Sequence, residues 1–214
     1  MKHKKSTQQE SPKPYHHGNL RDALIVAAAE LIEESGSADF SVSDTARRAG
    51  VSNAAPYRHF ADKEALLQAV SELGFFAMDE GMREIANGYE YGSQACIVEL
   101  GKGYIRFVTS RPAFFNLMWG EEGSATMERM ADSHRELRQS GFWLLVNQIE
   151  AWCEKQHVRN TEPLDIALKL WAMAIGISHL VINNHLERYV AEVDPYQILA
   201  TSSDAFLRGL LNSE

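Results

Sequence analysis

The chain has 214 residues, 45% hydrophobic and 23% charged, with a formal net charge of −8. That suits one large folded domain, or a small one beside a larger one. No run approaches about 18 uninterrupted apolar residues, so no membrane span is expected.

The first 18 residues, MKHKKSTQQESPKPYHHG, are polar, basic and proline-containing, without an apolar stretch. They read as a flexible polar arm (1–18) rather than a secretory signal. Residues 1–70 carry nine basic and nine acidic side chains, so the net −8 belongs to residues 71–214. An acidic body beside a neutral head does not exclude an anionic partner, because charges beyond about 8–10 Å are screened.

Gly18-Asn19 opens a helix with Leu20, Leu24, Ala27, Ala28 and Leu31 on one face, ending at Ser35-Gly36. FSVSDTARRAG (40–50) predicts two turns with Ser41 or Ser43 as N-cap. SNAAPYRHF (52–60) predicts two more, capped by Ser52, and residues 61–86 a long helix with Asp62 as N-cap. The pattern resumes beyond Tyr91, with Ile97, Leu100, Tyr104, Phe107 and Val108 on one face up to Arg111-Pro112. FFNLMW (114–119) is a short aromatic segment, and Glu121-Glu122 reads as a solvated turn. A long helix is expected over 124–156, carrying Met127, Met130, Leu137, Trp143 and Trp152. Pro163 opens another helix that keeps near-heptad spacing to Leu186, and Pro195 opens the last. No alternating strand pattern and no repeat occurs, so the expected fold is all-α. The two cysteines, Cys96 and Cys153, lie far apart on helical patterns and read as reduced packing thiols in a cytoplasmic protein.

The short helices around Ala49-Gly50-Val51-Ser52 have helix-turn-helix spacing. Gly50 supplies the positive φ of a tight interhelical turn. Ala46 and Ala49 are small enough for a close crossing, and Val51, Tyr57 and Phe60 would fill a small core. The second helix of such a unit enters the DNA major groove. Ala54 and Ala55 would let backbone approach base edges, and Asn53 has the amide geometry to read adenine. Tyr57, His59 and Lys63 suit phosphate oxygens. Pro56 sits near the helix start, where a missing N–H costs least.

The segment FSVSDTARRAGVSNAAPYRHFADKEALL (40–67), after a capped amphipathic helix and before an acidic helical body, resembles the TetR family of transcriptional regulators. YHHGNLRDAL (15–24) and GYIRFVTSRPAFFNLMW (103–119) are similar to the branch with a WHG-type C-terminal domain. The resemblance implies an N-terminal three-helix DNA-binding head with a helix-turn-helix (19–66) and a C-terminal helical body for effector binding and dimerisation (67–214). It implies a homodimer, usually a repressor and less often an activator, that loses a pseudo-palindromic double-stranded operator when a small molecule enters the body. Carried over by position, DNA contacts fall on Ser43, Asn53, Ala54, Ala55, Tyr57, His59 and Lys63, with Arg58 on the same helix. Two positions depart from the pattern. Thr45 stands where an aliphatic residue is usual, so its hydroxyl needs a partner such as a carbonyl one turn back. Ile175 stands where the branch has a histidine before the glycine, so the relatives' pocket chemistry does not transfer.

Aromatic and methionine side chains of the body point to an apolar or aromatic effector. The pocket residues expected are Phe75, Tyr104, Phe107, Phe115, Met118, Trp119, Trp143, Trp171 and His179, with Asn116 and Asn183 as further polar groups. Residues 163–187 and 195–211 are apolar on more than one face, as expected of helices that also pack across a two-fold axis. No nucleophile elbow, HExxH, phosphate-cradling loop or paired carboxylate beside a histidine is present, so an all-α enzyme is the weaker alternative, as is a helix-turn-helix protein that binds only proteins. His16-His17 and His179/His185 lack metal-ligand spacing, and no metal or cofactor is expected.

Overall fold

A computed structural model describes residues 20–132, 140–190 and 192–212. The expected arm (1–18) and Leu137 lie outside them. Among the described residues there are ten α-helices, one 3₁₀ turn and no strand.

The head comprises α1 (Leu20–Ser35), α2 (Val42–Arg48), a 3₁₀ turn (Pro56–Arg58) and the start of α3 (Lys63–Asn87). α1 buries Leu24, Ile25, Ala28 and Ile32 and stops at Gly36, whose φ of +70° takes the chain out of the helix. Ser41 rather than Ser43 is the N-cap of α2. It forms a capping box with Asp44: the Asp44 N–H donates to Ser41 Oγ at 3.2 Å, and the Ser41 N–H to Asp44 Oδ2 at 2.9 Å. Those bonds from Ser41 hold the Asp44 carboxyl below its ordinary range. Gly50 then turns the chain at φ +69°.

The body comprises the rest of α3, α4 (Gln94–Ser110), α5 (Pro112–Trp119), α6 (Glu121–Asp132), α7 (Gly141–Gln156), α8 (Pro163–Ile182), α9 (His185–Tyr189) and α10 (Pro195–Leu211). Three sequence expectations need correction. The single helix over 124–156 is not continuous: Ser140 is extended and α7 starts afresh at Gly141, whose N–H donates to Asp79 Oδ1 at 2.6 Å. Glu121-Glu122 is not a turn but the start of α6. Gly123 makes this fit, since a Cβ there would lie 1.7 Å from the Met118 carbonyl oxygen. The helix expected to run through Leu186 ends at Ile182, because Asn184 is left-handed (φ 54°) and α9 begins after it.

Two apolar cores result. The head core joins Leu24, Ile32, Phe60, Leu66 and Val70 with Phe114 and Leu117 of α5. The body core gathers Phe75, Met82, Leu100, Tyr104, Met118, Ile149, Trp152, Ile166 and Leu199. α5 therefore sits in both. Cys96 and Cys153 are buried free thiols, and burial raises both above the usual thiol range. By length and composition α8 is apolar enough to cross a membrane, with mean hydropathy 1.6, and a third of that window is buried in the fold.

Candidate nucleic-acid interface and effector cavity

Residues 52–60 do not form the two-turn helix expected. The Ala55 N–H donates to the Ser52 carbonyl at 2.9 Å, closing a turn, and Pro56–Arg58 is a single 3₁₀ turn. Pro56 explains the change, because it has no N–H to return to Ser52 and its fixed φ starts the tighter turn instead. Its ring is buried. Tyr57, given both a core role and a phosphate-contact role by sequence, is 58% exposed and so does not fill the core. Phe60 is buried and Val51 packs partly against the same core.

One surface thus presents Asn53, Ala54, Tyr57, Arg58 and His59 to solvent, with Ala55 half-buried behind them. Ser43 lies half-buried in the first turn of α2. Lys63, at the start of α3, holds its Nζ 5.1 Å from the Phe40 ring centroid, and a cation parked on a ring face keeps its charge available. The Asp62 carboxylate caps α3 by accepting the Ala65 N–H at 2.8 Å. Arg48 is engaged elsewhere, paired with Glu34 and, at 3.3 Å, with Glu30; it fastens α2 to α1.

In the body two adjacent cavities, of about 70 and 240 Å³, share Met78, Trp119, Gly141, Phe142 and Trp171. Of the residues expected there, Tyr104 lines the smaller, Phe75 and Trp143 the larger, and Trp119 and Trp171 both. Ring centroids are 5.5 Å apart for Phe75–Trp119, 6.0 Å for Trp119–Trp171 and 5.2 Å for Phe142–Trp171. Met118 is fully buried and lines neither cavity; it packs against Gly74, where a Cβ would meet its Sδ at 2.8 Å. Phe115 stands behind Trp119 at 6.4 Å, and Phe107 faces a separate groove with Met82 and Arg106.

His179 is not a lining residue. It is exposed, beside Asn183 and with its ring 6.2 Å from that of His185. Asn116 and Asn183 are exposed too. The reason is helical phase: buried Ala174, Ile177 and Ser178 set the inward face of α8, and position 179 falls outside it. Among the described residues no group of three His, Cys, Asp or Glu side chains could hold a metal.

The sequence reading missed Phe142 and Asp79. Phe142 carried a signal in the aromatic pair Phe142-Trp143 at a helix start. Asp79 carried another, as an acid in the apolar register of Phe75, Met78 and Met82. It is 8% exposed, and desolvation raises its carboxyl above the ordinary value, against the bond from Gly141 and the charge of Arg83.

A helix-turn-helix head fused to an all-helical body with an aromatic-lined cavity defines a ligand-responsive DNA-binding regulator. Residues 24–70 match the family model for bacterial regulatory proteins of the tetR family, and residues 97–204 match that for a Tetracyclin repressor-like C-terminal domain. The chain belongs to the TetR family, and its C-terminal match is consistent with the branch indicated by residues 103–119. Among solved structures it is similar to a protein of unknown function from Rhodococcus sp. RHA1 (27% identity, TM-score 0.76, covering 94% of this chain and all of that one). It shares its fold with the TetR family transcriptional regulator PfmR from Thermus thermophilus (19%, 0.58, 86% and 97%). It also shares it with RolR, solved in complex with resorcinol (16%, 0.59, 91% and 93%). Comparison with curated protein sequences gives no significant match.

Proposed function

We propose that this regulator is a homodimeric, cytoplasmic repressor that is released from a pseudo-palindromic operator when a small apolar or aromatic effector fills the cavities beside Trp119. It carries out no catalysis, and its operator contacts come from Ser43, Asn53, Ala54, Ala55, Tyr57, Arg58, His59 and Lys63. The observation that carries the reading is the position of α5. Trp119 at its end walls both cavities, while Phe114 and Leu117 of the same helix are buried in the head core. A ligand that shifts Trp119 therefore acts on the head through one rigid element. α3 gives a second route, since it runs unbroken from Lys63 past Phe75, Met78 and Asp79. The ligand moves the equilibrium only by its differential affinity for the two states. That RolR is seen with resorcinol supports a small aromatic effector.

Footprinting the protein on the DNA flanking its own gene identifies the operator, and fluorescence anisotropy then measures the contacts. Tyr57→Ala and Lys63→Ala weaken binding across all sequences, and Lys63→Ala also lowers the salt slope by about 1. Asn53→Ala relaxes preference at one base pair, a loss of about 1–3 kcal/mol of discrimination. Unchanged binding in all three variants rules out this docking.

A further inference from the structure

Among the residues that line the two cavities, two buried polar atoms have no hydrogen-bond partner among the described residues: the Tyr104 hydroxyl and the Trp119 indole N–H. Tyr104 is 6% exposed and lines the smaller cavity, and Trp119 lines both. Trp119 therefore stands between the two cavities, with its indole close enough to act on the Tyr104 phenol in the smaller one. An indole N–H only donates, and a phenol can donate. Burial raises the Tyr104 phenol well above its ordinary value; the nearby Trp119 and Trp171 indoles lower it by less, and neither closes a hydrogen bond with it. The phenol is consequently a neutral O–H donor at physiological pH. The Tyr104 oxygen is the nearby acceptor for the Trp119 N–H, but no hydrogen bond closes between them, so both groups are left with a free donor.

The remaining walls restrict what can enter. Phe75, Trp119, Phe142 and Trp171 stand ring to ring around the larger cavity. A cavity of about 150 Å³ accommodates benzene, and this one is about 240 Å³. Among the described residues no Lys, Arg or His lines either cavity, and Asp79 is the one carboxylate. A ligand carboxylate would find no counter-charge among these described lining residues and would stand beside a second acid, which is strongly unfavourable. A ligand cation would leave the Trp119 and Tyr104 donors unmet.

We infer that the effector is an uncharged monocyclic aromatic compound bearing a hydrogen-bond-accepting oxygen, which takes the Trp119 N–H and the Tyr104 O–H as its donors. This rests on the reading that the cavities are the effector site. Hydrocarbon contact with the rings supplies affinity, and the oxygen supplies selection: an analogue of the same shape without it leaves two buried donors unpaired.

Isothermal titration of the full chain with acetophenone, ethylbenzene, benzoate and benzylamine tests this, because the four probes share a ring and differ in the polar group. Acetophenone is expected to bind about tenfold or more tighter than ethylbenzene, with benzoate and benzylamine weaker than both. Tyr104→Phe removes only the oxygen and should cut the acetophenone-to-ethylbenzene ratio about fivefold while leaving ethylbenzene binding unchanged. Trp119→Phe should cut the same ratio, whatever it does to packing. The inference is overturned if ethylbenzene, benzoate or benzylamine matches acetophenone, if acetophenone shows no binding at millimolar concentration, or if both variants keep the wild-type ratio. Operator anisotropy with the same probes separates the two readings. Acetophenone that binds with the expected ratio but leaves operator affinity unchanged refutes the release mechanism and leaves the ligand class standing.

Discussion

Thr45 concentrates at one residue the difference between what a sequence implies and what packing allows. It is fully buried in α2, and its Oγ1 has no hydrogen-bond partner among the described residues. Elsewhere a helical hydroxyl finds the carbonyl one turn back: Ser178 reaches the Ala174 oxygen at 2.8 Å, and Thr109 the Ile105 oxygen at 2.7 Å. One turn before Thr45 stands Ser41, the cap itself, whose carbonyl already accepts the N–H groups of Asp44 and Thr45. Thr45 thus satisfies the shape of the aliphatic position and fails its polarity. Thr45→Val keeps the shape and removes the unmet hydroxyl, so it should stabilise the protein by about 1 kcal/mol. In a chain of this size that raises the melting temperature by roughly 2–4 °C. Thermal unfolding followed by circular dichroism reads this directly, and a lower melting temperature would mean that the hydroxyl has a partner after all. A similar contrast holds at Tyr57, whose two expected roles, core filler and phosphate contact, need opposite exposures; the side chain lies outside.

At the scale of elements, α5 makes a prediction that neither core makes alone. Leu117 is 5% exposed within the head core, away from the DNA surface and lining neither cavity. Leu117→Ala should cost about 2–5 kcal/mol of stability through lost burial and a residual cavity. Its more telling effect is on coupling: acetophenone affinity should stay within about twofold, while the ratio of operator affinities without and with acetophenone moves toward one. Titration calorimetry and anisotropy on the same sample check both, and an unchanged ratio removes α5 from the transmission route. Most helices were legible because apolar spacing, N-caps and proline starts are local: Ser41, Asp62, Pro163 and Pro195 each sit at a helix start, as capping and φ preference require. Two boundaries were not. The break before Gly141 depends on Asp79, 62 positions away, accepting its N–H, and no local pattern encodes that. The tight turn at 56–58 depends on one absent N–H outweighing a capping serine. The cavity was legible as a set of aromatics but not as a geometry, since helical phase alone separates Trp171, inside, from His179, outside.

For the whole molecule, the outward faces of α8 and α10 stand open to solvent in a single chain. On α8, Leu164, Leu168, Ala172, Gly176 and Leu180 form an exposed row at four-residue spacing. On α10, Thr201 and Ala205 are exposed at the same spacing. A row that is apolar at its ends and small at its centre lets two helices approach closely, and a second copy of the chain offers the same pair of rows across a two-fold axis. This is the interface we propose, and dimerisation would set two heads on two half-sites of an operator. Gly176 gives a clean test, because a Cβ there meets nothing within 4 Å in its own protomer. Gly176→Arg should therefore leave the monomer fold intact, and even favour the helix by roughly half a kcal/mol or more, while placing a charge at the centre of the shared face. Sedimentation equilibrium should give twice the chain mass for the wild type without detergent and the single-chain mass for the variant. The far-ultraviolet spectrum should be unchanged, and operator binding should be lost with the dimer. A variant that still sediments at twice the chain mass would place the interface elsewhere, and a wild type that requires detergent would show that the apolar face of α8 meets lipid instead.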